Sequence, residues 1–174
     1  PKTDQNTIAM AVNYKQGPIE LTGAYSSLGE KGVPVGTTVE DDVAMKFGGK
    51  FFFMDNQAWV SAVYEDLDSG GTNNDRTGLY VAALMKMGQS TIGIGYALAD
   101  DEGTTTDSGA NLVQLQLKHN LSKSTGVFAQ FGSLSLDKNA ATDAFGLRNG
   151  AFVSAADKSA TYMGVGIVTD FSSK

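Results

Sequence analysis

Residues able to do chemistry are few in this chain, and their spacing argues against catalysis. Cysteine is absent and His119 is the single histidine among 174 residues. That composition excludes disulfides, thiol nucleophiles and zinc–thiolate sites. A lone imidazole beside a turn, with no second histidine and no nucleophile partner, neither anchors an ordinary metal centre nor makes an enzyme. It reads as a surface residue. Two acidic runs, Glu40-Asp41-Asp42 and Asp100-Asp101-Glu102, have the charge to attract a divalent ion. Neither has the spacing of a dedicated calcium loop, so no metal and no cofactor is expected. Gly93-Ile94-Gly95 and Gly164-Val165-Gly166 look like pieces of a phosphate loop but lack the strand–turn–helix context. Glycine on one face of a strand explains them better.

The charged residues sort by segment. Most acids, among them Glu30, Glu40, Asp41, Asp42, Asp66, Asp75, Asp100, Asp101, Glu102 and Asp143, fall in or beside long polar stretches. They read as solvated surface, or together as a negative mouth that draws cations. The bases Lys15, Lys46, Lys50, Lys86 and Lys118 instead fall within strand-like stretches, with Arg76 at a strand start and Glu20 and Glu65 as the main acids. A net charge of −6 and a pI near 4.6 argue against nucleic acid as a partner.

The elements that hold these residues show a period of two. Val12 and Tyr14 alternate with Asn13 and Lys15, and Val113, Leu115 and Leu117 alternate with Gln114, Gln116 and Lys118. Nine such stretches follow one another, and the helical spacing of i, i+3, i+4, i+7 matches few of them. The last runs from Thr161 to Phe171, with Met163, Val165 and Ile167 on one face and Tyr162, Gly164 and Gly166 on the other. A strand of about ten residues ending in an aromatic suits a tilted crossing of a bilayer. In the fourth stretch the phase is open, because Trp59 fits either face. The longest apolar run, Leu79 to Met85, has seven residues, too few for a membrane helix. Pro1-Lys2-Thr3-Asp4-Gln5-Asn6 is too polar for a signal peptide. Mean hydropathy of −0.14 looks like an ordinary soluble protein, but a barrel with alternating strands and polar loops gives the same average.

Loop length alternates as well. Short turns follow stretches one, three, five and seven, whereas long polar loops follow two, four, six and eight. In a simple meander this puts all short turns on one side and all long loops on the other. Outer-membrane barrels have that asymmetry, and a soluble sandwich has no reason for it. The expected fold is therefore all-β, an antiparallel up-and-down transmembrane β-barrel. Charge is disfavoured on the lipid face by up to about 2–4 kcal/mol at mid-bilayer, so the polar faces should line the lumen. Lys15, Lys46, Lys50, Glu65, Arg76, Gln114, Gln116, Lys118 and Gln130 are the expected pore-lining residues. The alternative role for the bases is to pair with wall carboxylates such as Glu65. Tyr14, Tyr25, Phe53, Tyr64, Tyr96 and Phe171, near outward strand ends, are the expected interfacial girdles.

Leu121-Ser-Lys-Ser-Thr-Gly-Val-Phe-Ala-Gln-Phe-Gly-Ser133 resembles the penultimate strand of Gram-negative general porins, and Gly166-Ile-Val-Thr-Asp-Phe171 is similar to their final strand. The resemblance implies a trimeric barrel of about 16 strands in the bacterial outer membrane. It also implies passive diffusion of ions and small hydrophilic solutes past a folded-in third loop. The sequence departs from that pattern by running on through Ser172-Ser173-Lys174 past the expected terminal Phe171, and by its length, about half the usual. An even strand number is the rule, so nine strands make residues 1–174 one porin barrel domain, the C-terminal part of a longer chain lacking about seven strands. The expected partners are small hydrophilic solutes, ions and outer-membrane lipid, in a homotrimer. The competing reading is a non-conducting outer-membrane barrel or β-sheet surface protein for adhesion or assembly, with an outer-membrane hydrolase further behind.

Overall fold

The computed structural model describes residues 7–29, 41–70, 74–140 and 159–170. Its strands are β1 (Thr7–Gln16), β2 (Ile19–Leu28), β3 (Asp42–Phe53), β4 (Ala58–Asp68), β5 (Arg76–Met87), β6 (Ser90–Ala99), β7 (Ala110–Asn120), β8 (Thr125–Leu136) and β9 (Ser159–Thr169). They pair in sequence order, each antiparallel to the next, as one up-and-down sheet. No helix occurs among the described residues. Among the described residues, β1 and β9 each have a hydrogen-bonded neighbour on one side only.

Turn chemistry sets the hairpins on the short side. Gly17 and Gly88 adopt φ of +55° and +59° at the first position of two-residue turns, while Pro18 and Gln89 keep negative φ. This arrangement matches the right-handed twist of the strands it joins, and glycine takes it without a steric penalty. The β3–β4 turn is longer. Met54, Asp55 and Asn56 all take left-handed φ, and Gln57 N donates to Met54 O at 2.9 Å.

Antiparallel partners share a face, so the register assigns every side chain. One cross-strand row reads Lys15, Glu20, Lys50, Ser61, Ala82, Gly95, Gln114, Gly132, Tyr162 from β1 to β9. A row on the opposite face reads Tyr14, Leu21, Gly49, Ala62, Val81, Tyr96, Val113, Ser133, Thr161. The sheet is thus polar on one face and apolar on the other.

The apolar face is open. Val12 is 70% exposed and Ile94 55%, although the latter lies well inside the sheet with strands on either side. A water-soluble domain does not present so wide a contiguous apolar surface. Hydrocarbon accepts it, because the strands satisfy one another's backbone polar groups. Tyr25, Tyr64 and Tyr96 lie on this face toward the long-loop ends, and Tyr14 and Phe53 at the short-turn ends, where Phe53 stacks with Phe51 at 6.4 Å. The expected girdle positions therefore share the apolar face, except Phe171, which lies outside the described residues.

β7 and β8 extend beyond the stretch in which the sequence alternates clearly. Ala110, Leu112, Leu134 and Leu136 place apolar side chains on the otherwise polar face near its long-loop end. With Ala99 and Ala140 they form a buried cluster, packed against by Ala97, Ala160 and Tyr162. The alternation is inverted here, because the buried cluster covers this end of the polar face while Asn111, Ser133 and Ser135 lie on the reverse. β9, expected to reach Phe171, ends at Thr169 because its partner strand begins at Thr125. Asp170 N then donates to Ser124 O at 2.8 Å.

Candidate pore wall

Lys15, Lys46, Lys50, Glu65, Arg76, Gln114, Gln116, Lys118 and Gln130 all fall on the polar face. The open phase of β4 is settled with them. Trp59 pairs with Phe52 and Leu84 on that same face. Its ring lies under the Lys50 ammonium, with Nζ 4.6 Å from the ring centroid.

The bases divide by what surrounds them. Lys15 pairs with Glu20 across the β1–β2 hairpin. Lys46 Nζ is 2.6 Å from Glu65 Oε1, its direct cross-strand partner, which is the wall-carboxylate pairing anticipated for this residue. Lys50 faces Glu20 in register, but Glu20 is engaged by Lys15, and Lys50 has no ion-pair partner among the described residues. It is held by aromatic rings instead, Trp59 on one side and Phe52 at 5.5 Å on the other. Lys118 and Lys86 likewise have no carboxylate partner among the described residues, and both are exposed near the short-turn ends of β7 and β5.

Arg76 behaves differently. Its side chain is 13% exposed, and Nη2 donates to Glu102 Oε2 at 2.8 Å and to Ser108 O at 3.4 Å. The residue is on the polar face by register, but its charge is committed to the loop between β6 and β7.

That loop engages the acids of the Asp100-Asp101-Glu102 run, whose spacing fits no dedicated calcium loop. Asp100 Oδ2 accepts a hydrogen bond from Thr77 Oγ1 at 2.6 Å. Asp101 Oδ1 accepts from the Ser108 and Gly109 amides at 2.7 and 3.0 Å. Glu102 turns to Arg76. Three carboxylates adjacent in sequence thus point to three different partners, and no group of three or more ligating side chains forms a metal site among the described residues. Ser108, 1% exposed, is the hub: Oγ accepts from Glu102 N and donates to Thr105 O, each at 2.6 Å. Of the other run, Glu40 lies outside the described residues, and Asp41 accepts a hydrogen bond from Ser27 Oγ at 3.0 Å.

Glycines on the polar face act as seats for large side chains. A Cβ at Gly132 would sit 2.1 Å from the Tyr162 ring, so Tyr162 lies across that glycine, and its hydroxyl accepts from Gln114 Nε2 at 3.0 Å. Phe128 covers Gly166 and Tyr80 covers Gly95 in the same manner. Gln116 and Gln130 face each other across β7 and β8 and are exposed. Composition showed the glycines, but only the register showed what lies over each. His119 is on the apolar face at the short-turn end, exposed, with Nδ1 2.8 Å from Ser90 Oγ.

A single meander with one exposed apolar face, one charged face and loops sorted by length is the architecture of an outer-membrane β-barrel. The model of the Gram-negative porin family matches residues 1–139. The chain belongs to that family, and so to the bacterial outer membrane. Among solved structures it is similar to the anion-selective porin from Comamonas acidovorans, with a TM-score of 0.73 and 23% identity over 94% of this chain and 48% of that one. It is also similar to the outer-membrane expressed OmpT of Vibrio cholerae, with a TM-score of 0.63 and 19% identity over 96% of this chain and 56% of that one. The in-vitro folded form of OmpT gives a TM-score of 0.63 at 18% identity, over 95% and 55% of the two chains. The chain spans about half the length of these proteins. No protein of curated function matches it.

Proposed function

We propose that this chain forms part of the wall of a water-filled channel through which ions and small hydrophilic solutes diffuse passively, without cofactor and without chemistry on the solute. The observation that carries the reading is the segregation across the sheet. The strand lysines, Arg76, Glu20, Glu65 and the glutamines Gln114, Gln116 and Gln130 share one face, and the opposite face is mainly apolar and exposed, with Gln16, Asp66, Asp68 and Asn111 on it only toward strand ends. Lys15, Lys46, Lys50, Glu65, Arg76, Gln114, Gln116, Lys118 and Gln130 are then the residues that meet the channel water. Arg76 acts mainly by holding the β6–β7 loop at the mouth. Among the described residues β1 and β9 each pair on one side, which supports a barrel completed by further strands and one porin domain of which these strands are part. Assembly as a homotrimer fits Met163, Val165 and Ile167, 83%, 85% and 71% exposed on β9, which would face lipid or a neighbouring subunit.

A net preference for anions follows from the charge balance of the wall. Glu20 and Glu65 are neutralised by Lys15 and Lys46, which leaves Lys50, Lys86 and Lys118 uncancelled. Fixed charges along a pore select ions by sign. The anion-selective porin from Comamonas acidovorans, similar in fold, is consistent with this direction. The acidic loops oppose it at the mouth.

Planar-bilayer recording of the intact porin tests both parts. Ohmic conductance in KCl is the expected result, with a reversal potential in a salt gradient that shifts toward cations in Lys50→Glu and Lys118→Glu. Absence of conductance would leave the non-conducting surface-protein reading in its place.

A further inference from the structure

The polar face holds a groove whose composition differs from that of a generic charged wall. Its volume is about 430 Å³, within the range of small-molecule sites, and its lining includes Lys50, Trp59, Ser61 and Tyr80 together with the ion-paired Glu20 and Lys46. The register explains its shape. Lys50 pairs with Ser61 and Tyr80 with Val63, so Ser61 and Val63 of β4 lie between the strands that carry the lysine and the phenol. The Tyr80 ring lies over Gly95, which has no side chain: a Cβ there would meet Tyr80 Oη at 3.0 Å and Cε2 at 3.4 Å. Seated on the glycine, Tyr80 keeps 40% of its surface exposed and is among the residues that line the groove.

The charge at the other end is equally specific. Glu20 and Glu65, the nearest acids by register, are engaged by Lys15 and Lys46, so Lys50 has no carboxylate of its own among the described residues. Trp59 at 4.6 Å and Phe52 at 5.5 Å restrain the Lys50 ammonium, which lowers the entropy lost when it pairs with an anion. β3, which carries Lys50, and β5, which carries Tyr80, lie two strand spacings apart, about 10 Å.

We propose that this groove is a binding subsite for small aromatic carboxylates. The carboxylate pairs with Lys50 Nζ, the Ser61 hydroxyl is at hand as a second donor, and the ring packs against Tyr80. An inorganic or aliphatic anion uses the ammonium alone. A neutral aromatic uses the phenol alone. Only a planar aryl acid uses both, so the site discriminates by shape as well as by sign. The inference rests on the channel reading for its purpose, although not for its chemistry.

The test is single-channel recording of the intact porin with benzoate in the bath, compared with cyclohexanecarboxylate, which has the same charge without a flat ring, and with neutral benzamide. Benzoate is expected to interrupt the current with an apparent affinity about tenfold above that for either control compound. Lys50→Gln should weaken benzoate about tenfold or more, whereas Lys123→Gln, the same charge change on an exposed turn, should leave it within about twofold. Tyr80→Leu should erase the difference between benzoate and cyclohexanecarboxylate while leaving both able to bind. Equal affinities for the two acids in the unmodified porin would overturn the proposal, as would indifference of benzoate to Lys50→Gln. A porin that passes no current in KCl would refute the channel reading separately. The groove would then be tested by equilibrium dialysis of benzoate against the detergent-solubilised porin and the same variants, with the same outcomes deciding.

Discussion

Arginine placed at successive depths along β7 tests which solvent each face meets. Leu115 is midway along β7, on the apolar face, 44% exposed, between Ile94 and Phe131 in register. Gln116 is its neighbour on the polar face, and His119 shares the apolar face one residue from the strand's short-turn end. An arginine facing lipid at mid-bilayer costs about 2–4 kcal/mol, and near the interface about 0–1 kcal/mol. Leu115→Arg should therefore lower the folding equilibrium constant by about thirtyfold to nearly a thousandfold. His119→Arg also loses the contact with Ser90 Oγ and should stay within about 1 kcal/mol of the unmodified protein. Gln116→Arg, in water on the other face, should stay within about 0.5 kcal/mol. The assay is denaturant unfolding of the intact porin in phosphatidylcholine vesicles, followed by far-ultraviolet circular dichroism. A packed protein core would also reject Leu115→Arg, so the decisive feature is the gradient with depth. Equal penalties at 115 and 119, or at 115 and 116, would refute the assignment of the two faces.

Gly132→Ala should destabilise by about 1–3 kcal/mol in the same assay, because the new Cβ would fall 2.1 Å from the Tyr162 ring and the hydrogen bond to Gln114 would go with the ring. Gln114→Ala, which removes only that bond, should cost about 1 kcal/mol. Arg76→Ala leaves Glu102 and the Ser108 carbonyl without their donor and should cost about 1.5–3 kcal/mol. Hydrogen exchange of the Ser108 and Gly109 amides should accelerate in that variant, and an unchanged rate would mean that Asp101 holds the loop alone. Lys46→Met should change stability by less than about 1 kcal/mol, since the Lys46–Glu65 pair is half exposed, yet move the reversal potential toward cations by freeing Glu65.

Strand number, strand order and the sorting of loops were legible in the sequence because each depends on local information. Side-chain alternation has a period of two wherever one face meets apolar surroundings and the other meets water, and a change of loop length needs no tertiary contact to be seen. The nine candidate wall residues followed from the same alternation. The sequence was silent where the polar face turns apolar over a buried cluster, as at Leu112, Leu134 and Leu136, and ambiguous where an aromatic suits either face, as at Trp59. At Asp100-Asp101-Glu102 it showed three adjacent carboxylates without calcium-loop spacing, and only the fold shows that Thr77, the Ser108 and Gly109 amides and Arg76 each claim one. Which lysines keep their charge free was likewise beyond it. Lys46 and Lys50 lie four residues apart on one strand face, and only the pairing of β3 with β2 and β4 decides that Lys46 meets an available glutamate while Lys50 meets one already taken. Composition and periodicity determined that this chain builds a two-faced wall. The register, which depends on every neighbouring strand at once, decided which charges on that wall remain to act.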